Sequence, residues 1–379
     1  MRILHINCNY IGTTLHQKMI EALDYLGIQN QVFVAVYVGR ESVIKVNDNV
    51  MISECFKRWN RLFFYYKQKR IRKSLIEKIE VKKYDLIHAY TLFTDGNNAM
   101  QLSKKYEIPY VVAVRNTDVN TFFKKMPWLR RRGIQIMRNA SRVFFLSESY
   151  KEEVFRKYVP DKYKKELINK VSVIPNGIDQ FWIQNIVQDI NEKKLKRIKN
   201  RQLRLIYVGQ VDRNKNIIAT QQAMELLRKA GWNVTLTVVG KIADKHEFKK
   251  MIQNSYTTYV EEQPKENLIK LYREHDIFVM PSITETFGLV YAEAMSQGLP
   301  VVYTKGQGFD GQFPEGIVGY HVDAKNHREI FEIIIKIIDR YEAIFKNVGH
   351  MAVKFEWAFL AKKYKNIYRI ILNSENSIK

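Results

Sequence analysis

Short apolar segments of two kinds alternate along this chain, and their alternation predicts an α/β protein. Residues 2–7 and 31–38 are apolar runs of strand length, and residues 16–26 between them have the spacing of a helix. A second set of the same kind begins at residues 203–208. Strands that alternate with helices are typical of βαβ units, so we expect two α/β domains.

Residues 276–303 form the most informative unit, in which the pattern predicts strand, loop, helix and strand. Residues 276–280 and 300–303 are apolar runs typical of buried strands. A short helix is predicted from Gly288, and Gly298 is placed to end it. The apolar face of this helix repeats every three residues through Leu289, Ala292 and Met295.

Two glutamates belong to this unit, Glu285 in the loop and Glu293 on the helix. Ligands of open α/β sheets bind at the carboxyl ends of the strands, where this loop must lie. The free amides of Phe287, Gly288 and Leu289 would carry partial positive charge and suit a phosphate. A carboxylate at Glu293 could accept two hydrogen bonds from ribose hydroxyls. The combination predicts a site for a sugar nucleotide.

Composition narrows the class of protein. The chain has 379 residues, 46% of them hydrophobic, which suffices for two ordinary cores. Its cysteines, Cys8 and Cys55, form no C-x-x-C pair, so we expect a reducing cytoplasm and neither a disulfide framework nor a zinc site. The apolar runs are far shorter than a membrane span, and the first residues have no signal-peptide core. The net charge of +23 favours an anionic partner without choosing among nucleic acid, lipid and substrate.

The segment from Pro281 to Val302, PSITETFGLVYAEAMSQGLPVV, resembles the E-x7-E element of retaining glycosyltransferases of family four. The resemblance implies the GT-B fold, an α/β architecture of two Rossmann-like domains facing across a cleft. It implies an acceptor domain over residues 1–180, completed by a C-terminal helix at about 352–379 that crosses back to it. The nucleotide-sugar donor domain would then span residues 181–351.

Residues 209–216, GQVDRNKN, resemble the family segment whose arginine and lysine bind the donor diphosphate. Lys215 matches the lysine, Gln210 stands where arginine is usual, and Arg213 could supply the missing charge. The resemblance makes Glu285 the residue that orients the transferred sugar. It implies that the nucleotide is bound by Gly209, Gln210, Gly240, Val260, Glu262, Thr286, Phe287, Gly288, Leu289 and Glu293.

The resemblance is less complete in the first half of the chain. Gly12 fits one of two glycines that the family often places in its first loop, near the transferred sugar. Asp118 keeps the family aspartate, but Arg115 replaces a histidine and cannot act as a base. Both are expected to face the sugar or the acceptor. His88 could line the cleft or serve as an ordinary core histidine.

Two stretches, 57–83 and 122–138, combine lysine and arginine with aromatic residues. The first has helical spacing through Trp59, Leu62, Phe63 and Tyr66. Such a helix can lie on an anionic membrane surface, or it can pack its apolar face on the sheet of its own domain. The second stretch could receive an anionic or lipid-linked acceptor, or form a solvated basic face. Nucleic acid is not expected as a partner, since no RNA-binding motif accompanies the aromatics.

The resemblance implies transfer of a sugar, with retention, from a UDP- or GDP-sugar to a hydroxyl of a glycan or lipid-linked acceptor. Surface polysaccharide synthesis, at the cytoplasmic face of the membrane, fits the family and the basic first half. No cofactor or metal is expected, because no D-x-D motif lies in a plausible donor loop. The alternatives are a sugar-nucleotide epimerase or hydrolase of the same fold and a non-catalytic polyanion-binding protein.

Overall fold

A computed structural model describes residues 1–376 of the chain and separates them into two compact units. The first unit contains residues 1–146 and 150–177 and the segment that begins at Trp357. The second contains residues 147–149 and Ile178–Glu356. The last residues of the predicted C-terminal helix, 377–379, lie outside the described part of the chain.

The first unit is built on a parallel sheet of seven strands, in the order β3-β2-β1-β4-β5-β6-β7. The strands are β1 Arg2–Ile6, β2 Gln29–Tyr37, β3 Val50–Phe56, β4 Leu86–Ala89, β5 Tyr110–Val114, β6 Arg142–Phe145 and β7 Val171–Val173. The helices that follow them in this half are α1 Thr14–Tyr25, α2 Phe64–Lys78, α3 Thr94–Tyr106, α4 Arg130–Asn139, α5 Glu148–Lys157 and α6 Asp161–Ile168.

The second unit repeats this architecture with six parallel strands, in the order β10-β9-β8-β11-β12-β13. Its helices are α7 Gln180–Gln184, α8 Glu192–Lys199, α9 Ile217–Lys229, α10 Lys245–Met251, α11 Lys265–Glu274, α12 Leu289–Ser296, α13 His327–Asp339 and α14 Tyr341–Ala352. Its strands are β8 Gln202–Val208, β9 Asn233–Val239, β10 Thr257–Val260, β11 Ile277–Val279, β12 Val301–Thr304 and β13 Gly319–Val322.

Helix α15, Trp357–Asn376, belongs to the first unit and packs against α1. The hydroxyl of Tyr368 lies 2.7 Å from Nδ1 of His88 on β4, and both side chains are buried. Gly177 accommodates the start of the helix, since a methyl group there would lie 2.5 Å from the Trp357 ring. The chain's end therefore completes the core on one face of the first sheet.

Several predicted elements differ from the structure. Residues 57–83 do not form one helix: a 3₁₀ turn at Arg58–Leu62 precedes α2, and Ile71 and Leu75 of α2 are buried in the core. A run of charges such as that at 192–204 is typical of a connection between domains, but this stretch contains helix α8 and the start of β8. Residues 328–345 have the pattern of one amphipathic helix, but the structure divides them at Arg340 into α13 and α14.

Other elements of the structure, among them β3, β13, α4 and α6, were also not predicted. Parallel pairing of β3 with β2 and of β13 with β12 places these strands at sheet edges. No helix within residues 1–376 combines the length and the apolarity that crossing a bilayer requires.

Each sheet reverses its strand order at one point, between β1 and β4 in the first unit and between β8 and β11 in the second. Chain connections run to opposite sides at such a point, which leaves a crevice beyond the carboxyl ends of the two strands. The loops that follow β8 and β11 carry the segments predicted to bind the donor. The fold therefore brings those two segments to one edge.

Candidate functional site

The loop after β8 turns through a 3₁₀ segment, Arg213–Lys215, which presents Lys215. Asp212 caps this turn, since its Oδ1 accepts a hydrogen bond from the Lys215 amide at 2.9 Å. Asn216 then adopts a left-handed conformation, with φ of 59°, before α9 begins. The turn fixes the direction in which the Lys215 side chain points away from the backbone.

Lys215 and Glu285 form an ion pair between the two loops. Nζ of Lys215 lies 2.5 Å from Oε2 of Glu285, and the two side chains are only 19% and 12% exposed. Glu285 also accepts a hydrogen bond from the Thr286 amide at 3.0 Å through its other oxygen. A mostly buried pair held this way is strongly oriented, and an incoming anion would compete with Glu285 for the ammonium.

The backbone of Glu285 is held by a residue that the sequence did not single out, Gln307. Its Oε1 accepts a hydrogen bond from the Glu285 amide at 2.9 Å, and the Gly308 amide donates to the Glu285 carbonyl at 3.0 Å. A methyl group at Gly308 would lie 1.8 Å from the Thr286 carbonyl oxygen. Residues 306–311, GQGFDG, form a glycine-rich turn that positions Glu285. The repeated glycines are the sequence signal that could have pointed to this turn.

Asn214 is the second residue that the sequence analysis missed. Its side chain donates to the Thr284 carbonyl at 2.8 Å and accepts from the Thr284 amide at 3.0 Å. This pairing ties the Lys215 turn to the Glu285 loop, seventy residues further along the chain. The Lys215–Glu285 distance is thus set by contacts on both sides.

Helix α12 begins directly after the Glu285 loop, with Gly288 as its N-cap residue. Gly288 has φ of 72°, and a methyl group there would also lie 2.5 Å from the Tyr291 ring. Gly288 has no side chain and therefore supplies no capping oxygen to the first turn, whose Tyr291 amide donates instead to the Gly288 carbonyl at 3.0 Å. The predicted anion-binding residues Phe287, Gly288 and Leu289 lie at this helix start.

Glu293 lies further along α12, mostly out of solvent. Among the described residues its carboxylate has no hydrogen-bond or ion-pair partner. Burial, and secondarily the charge of Asp179, raises its pKa from 4.5 to about 7. The buried hydroxyl of Tyr272, whose pKa rises through burial and through the charge of Glu293, also lacks a partner in this part of the chain. Of the two, the Glu293 carboxylate is the group that can accept hydrogen bonds from a ligand, since Tyr272 is fully buried.

Three further predicted residues meet at the ends of neighbouring strands. A methyl group at Gly240 would lie 1.9 Å from the Gly209 carbonyl oxygen, and the Gly240 amide donates to the Val260 carbonyl at 3.1 Å. Gly209 and Gly240 have φ of 153° and 146°, which favour glycine. The strand ends therefore pack closely, with Gly240 buried and its backbone amide and carbonyl both hydrogen-bonded.

The remaining predicted residues of the second unit are more exposed. Gln210 is exposed, and its carbonyl accepts a hydrogen bond from the Tyr207 hydroxyl at 2.6 Å. Arg213 is exposed and has no side-chain partner within residues 1–376. Glu262 forms a surface ion pair with Lys241 at 2.9 Å. Of these three, only Arg213 offers a charge that is not already paired.

In the first unit, Asp118 is fully buried and binds backbone amides. Its carboxylate accepts hydrogen bonds from the amides of Leu92, Phe93 and Arg115 at 2.9–3.1 Å. Burial nevertheless raises its pKa to about 6, and the amides oppose that rise. The geometry makes Asp118 a residue that holds two loops together.

Arg115 is half-buried, and its guanidinium donates to Asn176 Oδ1 at 3.0 Å and to the Tyr90 carbonyl at 3.4 Å. Gly12 ends a 3₁₀ turn at Tyr10–Gly12, and a methyl group there would lie 3.7 Å from the Arg40 guanidinium.

His88 is a core residue: it stacks on Tyr90, with ring centroids 4.4 Å apart, and burial keeps its pKa well below its ordinary value. The core alternative for His88 is thus the one that the structure supports.

Within the described residues, one group could hold a metal ion: Asp310, Glu315 and His321, with ligand atoms within 4.8 Å of one another. Nδ1 of His321 lies 3.0 Å from Asp310 Oδ1 and 3.3 Å from Glu315 Oε1. Hydrogen bonding from the imidazole accounts for this proximity without an ion.

Comparison with known proteins identifies the family. Residues 16–180 match the family model described as Glycosyltransferase Family 4, and residues 188–346 match Glycosyl transferases group 1. The two matches together span nearly the whole of both units. The chain belongs to the family-four type of glycosyltransferases with the GT-B fold, as the E-x7-E resemblance predicted.

Individual relatives are distant in sequence. The capsular polysaccharide biosynthesis glycosyltransferase CapM of Staphylococcus aureus is 26% identical over 249 residues, which cover 62% of each chain. The chain thus spans less than two thirds of that relative's length. The α-monoglucosyldiacylglycerol synthase of Acholeplasma laidlawii is 23% identical over 384 residues, covering 94% of this chain and 92% of that one.

Solved structures show the fold at still lower identity. Sucrose-phosphate synthase of Thermosynechococcus elongatus superposes with a TM-score of 0.75 at 18% identity, covering 99% of this chain and 100% of that one. HepE of Anabaena, solved in complex with UDP, has a TM-score of 0.72 at 17% identity, with 97% and 99% covered. These likenesses confirm the predicted α/β GT-B fold.

Proposed function

We propose that this protein is a retaining glycosyltransferase that moves a sugar from a UDP- or GDP-sugar to a hydroxyl of a glycan or lipid-linked acceptor. The Lys215–Glu285 pair is the observation that carries this proposal. It joins a cation and a carboxylate at the strand-order reversal of the second unit, beside an uncapped helix start. The relative CapM, a capsular polysaccharide biosynthesis glycosyltransferase, and the similar fold of HepE, solved in complex with UDP, support the same class of reaction.

Departure of a nucleoside diphosphate builds negative charge on its phosphate oxygens. Lys215, with Arg213 on the same turn, supplies positive charge for that group, and the amides at Phe287–Leu289 add the helix N-terminus. Diphosphate binding draws Lys215 away from Glu285. The freed carboxylate then orients the transferred sugar and stabilises positive charge at its anomeric carbon.

Glu293 is proposed to hold the ribose. Its carboxylate is desolvated and unpaired within residues 1–376, a state that costs free energy until hydroxyl donors arrive. The rest of the nucleotide is proposed to lie along the strand ends at Gly209, Gly240 and Val260. Retention of configuration is proposed from the E-x7-E resemblance. Neutralisation by Lys215 and Arg213 is preferred to a metal ion.

The acceptor is proposed to bind the first unit, where Arg115 and Gly12 lie near loops at the strand ends. A role in surface polysaccharide synthesis follows the staphylococcal relative, and a place at the cytoplasmic face of the membrane follows the basic aromatic stretches 57–83 and 122–138. Asp118 acts in this proposal by positioning Arg115, to whose amide it is bonded.

Calorimetric titration with UDP, GDP, ADP and CDP tests the donor site before any acceptor is known. We expect UDP or GDP to bind selectively. Lys215→Met should weaken that binding roughly 10- to 100-fold, because a charge-assisted hydrogen bond is lost. Lys249→Met, at an exposed lysine on α10, is the matched control. Equal affinity in wild type and Lys215→Met, or no selectivity among the diphosphates, would contradict the proposal.

A further inference from the structure

Six large apolar side chains of the first unit are exposed in two neighbouring segments, 57–66 and 122–131. The segments touch through the rings of Phe64 and Phe122, whose centroids lie 6.1 Å apart. We call the exposed set the aromatic rim; its members, with exposed fractions from 46% to 82%, are Trp59, Leu62, Phe63, Tyr65, Tyr66 and Trp128. Contiguous exposed apolar groups of this kind mark a binding surface, since water solvates them poorly.

The core does not use the rim. Helix α2 buries Ile71 and Leu75 on the sheet, and Phe64 packs against the same core. The other aromatics before and in the first turn of α2 remain in solvent; they are Trp59, Phe63, Tyr65 and Tyr66. Neither 57–76 nor 119–138 contains an Asp or Glu, and both contain several Lys and Arg. A rim of aromatics surrounded by unopposed cations complements an anionic lipid surface.

A cavity of about 560 Å³ opens beside the rim. It lies at the strand-order reversal of the first sheet, beyond β1 and β4, where Cys8 and Thr91 line it. Leu62, Tyr65 and Trp128 of the rim also form part of its wall. The volume suits the polar headgroup of a small amphiphile, and threonine hydroxyls along the wall suit sugar hydroxyls; these are Thr94, Thr117 and Thr121.

Lys67 gives this cavity an unbalanced positive charge. Its ammonium has no hydrogen-bond or ion-pair partner among the described residues and lies 5.6 Å from the Phe56 ring. Burial lowers its pKa, and the charges of Cys8 and Asp95 oppose that shift only in part. Arg40 and Arg61 line the same cavity. A desolvated cation without a partner costs free energy that an anionic ligand would offset.

The acidic groups nearby are already engaged. Asp95 accepts hydrogen bonds from the Thr91 hydroxyl at 2.9 Å and from the Cys8 amide at 3.3 Å. Burial raises its pKa to about 7, so that it carries only part of a negative charge at neutral pH. Asp118 is occupied by three backbone amides. Lys67, Arg40 and Arg61 are therefore left to face a ligand.

We propose that this cavity binds the phosphate-bearing headgroup of a lipid acceptor whose hydrocarbon part stays in an anionic bilayer contacted by the aromatic rim. Lys67, with Arg40 and Arg61, meets the phosphate. This inference rests on the proposed function, because it assigns the acceptor class of the same reaction. It restricts the membrane-contacting surface to residues 57–66 and 122–131, since the rest of α2 packs against the core.

Vesicle sedimentation tests the rim. Wild type should pellet with phosphatidylglycerol–phosphatidylcholine vesicles and not with phosphatidylcholine alone. The double variant Trp59→Ser/Phe63→Ser changes rim positions outside the cavity wall. Its partition coefficient onto the vesicles should be at least about tenfold lower, since two interfacial aromatics are removed. Tyr25→Ser, at a tyrosine 91% exposed beyond the rim, is the control. Pelleting of the double variant at the wild-type level, or no pelleting of wild type, would overturn the membrane contact.

Calorimetry with decyl phosphate, below its micelle concentration, tests the cavity. Lys67→Met should weaken decyl phosphate binding at least about tenfold, Lys67→Arg should restore it, and Lys69→Met at an exposed lysine should leave it unchanged. Decyl maltoside binding as tightly as decyl phosphate would overturn the phosphate assignment. If inorganic phosphate bound as tightly as decyl phosphate, the assignment of the ligand as an amphiphile would be wrong.

Nucleoside diphosphate binding, measured on the same variants, separates the two proposals. It should be unchanged by substitutions at Trp59, Phe63 and Lys67, since all three belong to the first unit. Loss of decyl phosphate binding with intact diphosphate binding defines the acceptor cavity. Absence of diphosphate binding in wild type refutes the proposed function whatever the vesicles show.

Discussion

Replacing Glu293 by glutamine should stabilise the second unit and at the same time impair donor binding. The Glu293 carboxyl has a pKa of about 7 in the fold against 4.5 ordinarily, chiefly because burial disfavours the ionised form. Since the folded pKa is the higher one, the protonated carboxyl contributes stability in full below pH 4.5. That contribution is lost as the pH rises through 7.

The difference of 2.5 pKa units corresponds to about 3 kcal/mol at about 1.36 kcal/mol per unit. Glutamine removes the charge but buries an amide that has no partner, which costs part of the gain. We therefore expect Glu293→Gln to raise the free energy of unfolding by about 2 kcal/mol at pH 8 and by close to nothing at pH 4.5.

The two units can unfold separately, so one global transition would mix them. Hydrogen exchange of peptides from β11, β12 and α12, measured across a urea series at both pH values, reports the second unit alone. Glu225→Gln, at an exposed glutamate on α9, is the control.

UDP and GDP titrations on Glu293→Gln complete the test. A carboxamide accepts hydrogen bonds through one oxygen only, so affinity should fall by about tenfold as one charged hydrogen bond is lost. A destabilised variant at pH 8 would refute the account of the buried carboxylate. A stabilised variant with unchanged affinity for both diphosphates would refute the role of Glu293 in binding ribose.

Two further predictions concern residues that position others. Gln307→Ala should lower kcat at least about tenfold with little change in UDP or GDP affinity. The reason is that the Glu285 amide loses its hydrogen-bond acceptor while Lys215 stays in place. Release of diphosphate measures kcat, and a rate near that of wild type would show that Gln307 does not position Glu285. Tyr368→Phe should lower the free energy of unfolding of the first unit by about 1–3 kcal/mol, because it leaves Nδ1 of the buried His88 without a partner. Hydrogen exchange of β4 and α15 peptides across a urea series measures this loss. Exchange of the β4 peptides at the wild-type rate would contradict the prediction.

The sequence by itself determined the elements whose signals lie close together along the chain. The strand–loop–helix–strand unit around Glu285 and Glu293 follows from apolar runs, helical spacing and a terminating glycine, all within thirty residues. Lys215 was predicted from the resemblance of its short segment to the diphosphate-binding segment of the family. These features could be predicted because a helix or a strand is selected mainly by neighbouring residues.

The tertiary structure decided what depends on the order and register of the strands. Gln307 and Asn214 hold Glu285 and Thr284 only because β8, β11 and β12 lie side by side, and no local pattern encodes that adjacency. The same reason explains Asp118, whose amide partners come from another strand's loop. It also explains the basic stretch at 57–83: packing on the sheet buries the apolar positions Ile71 and Leu75, while Trp59 and Phe63, beyond the reach of that sheet, remain in solvent.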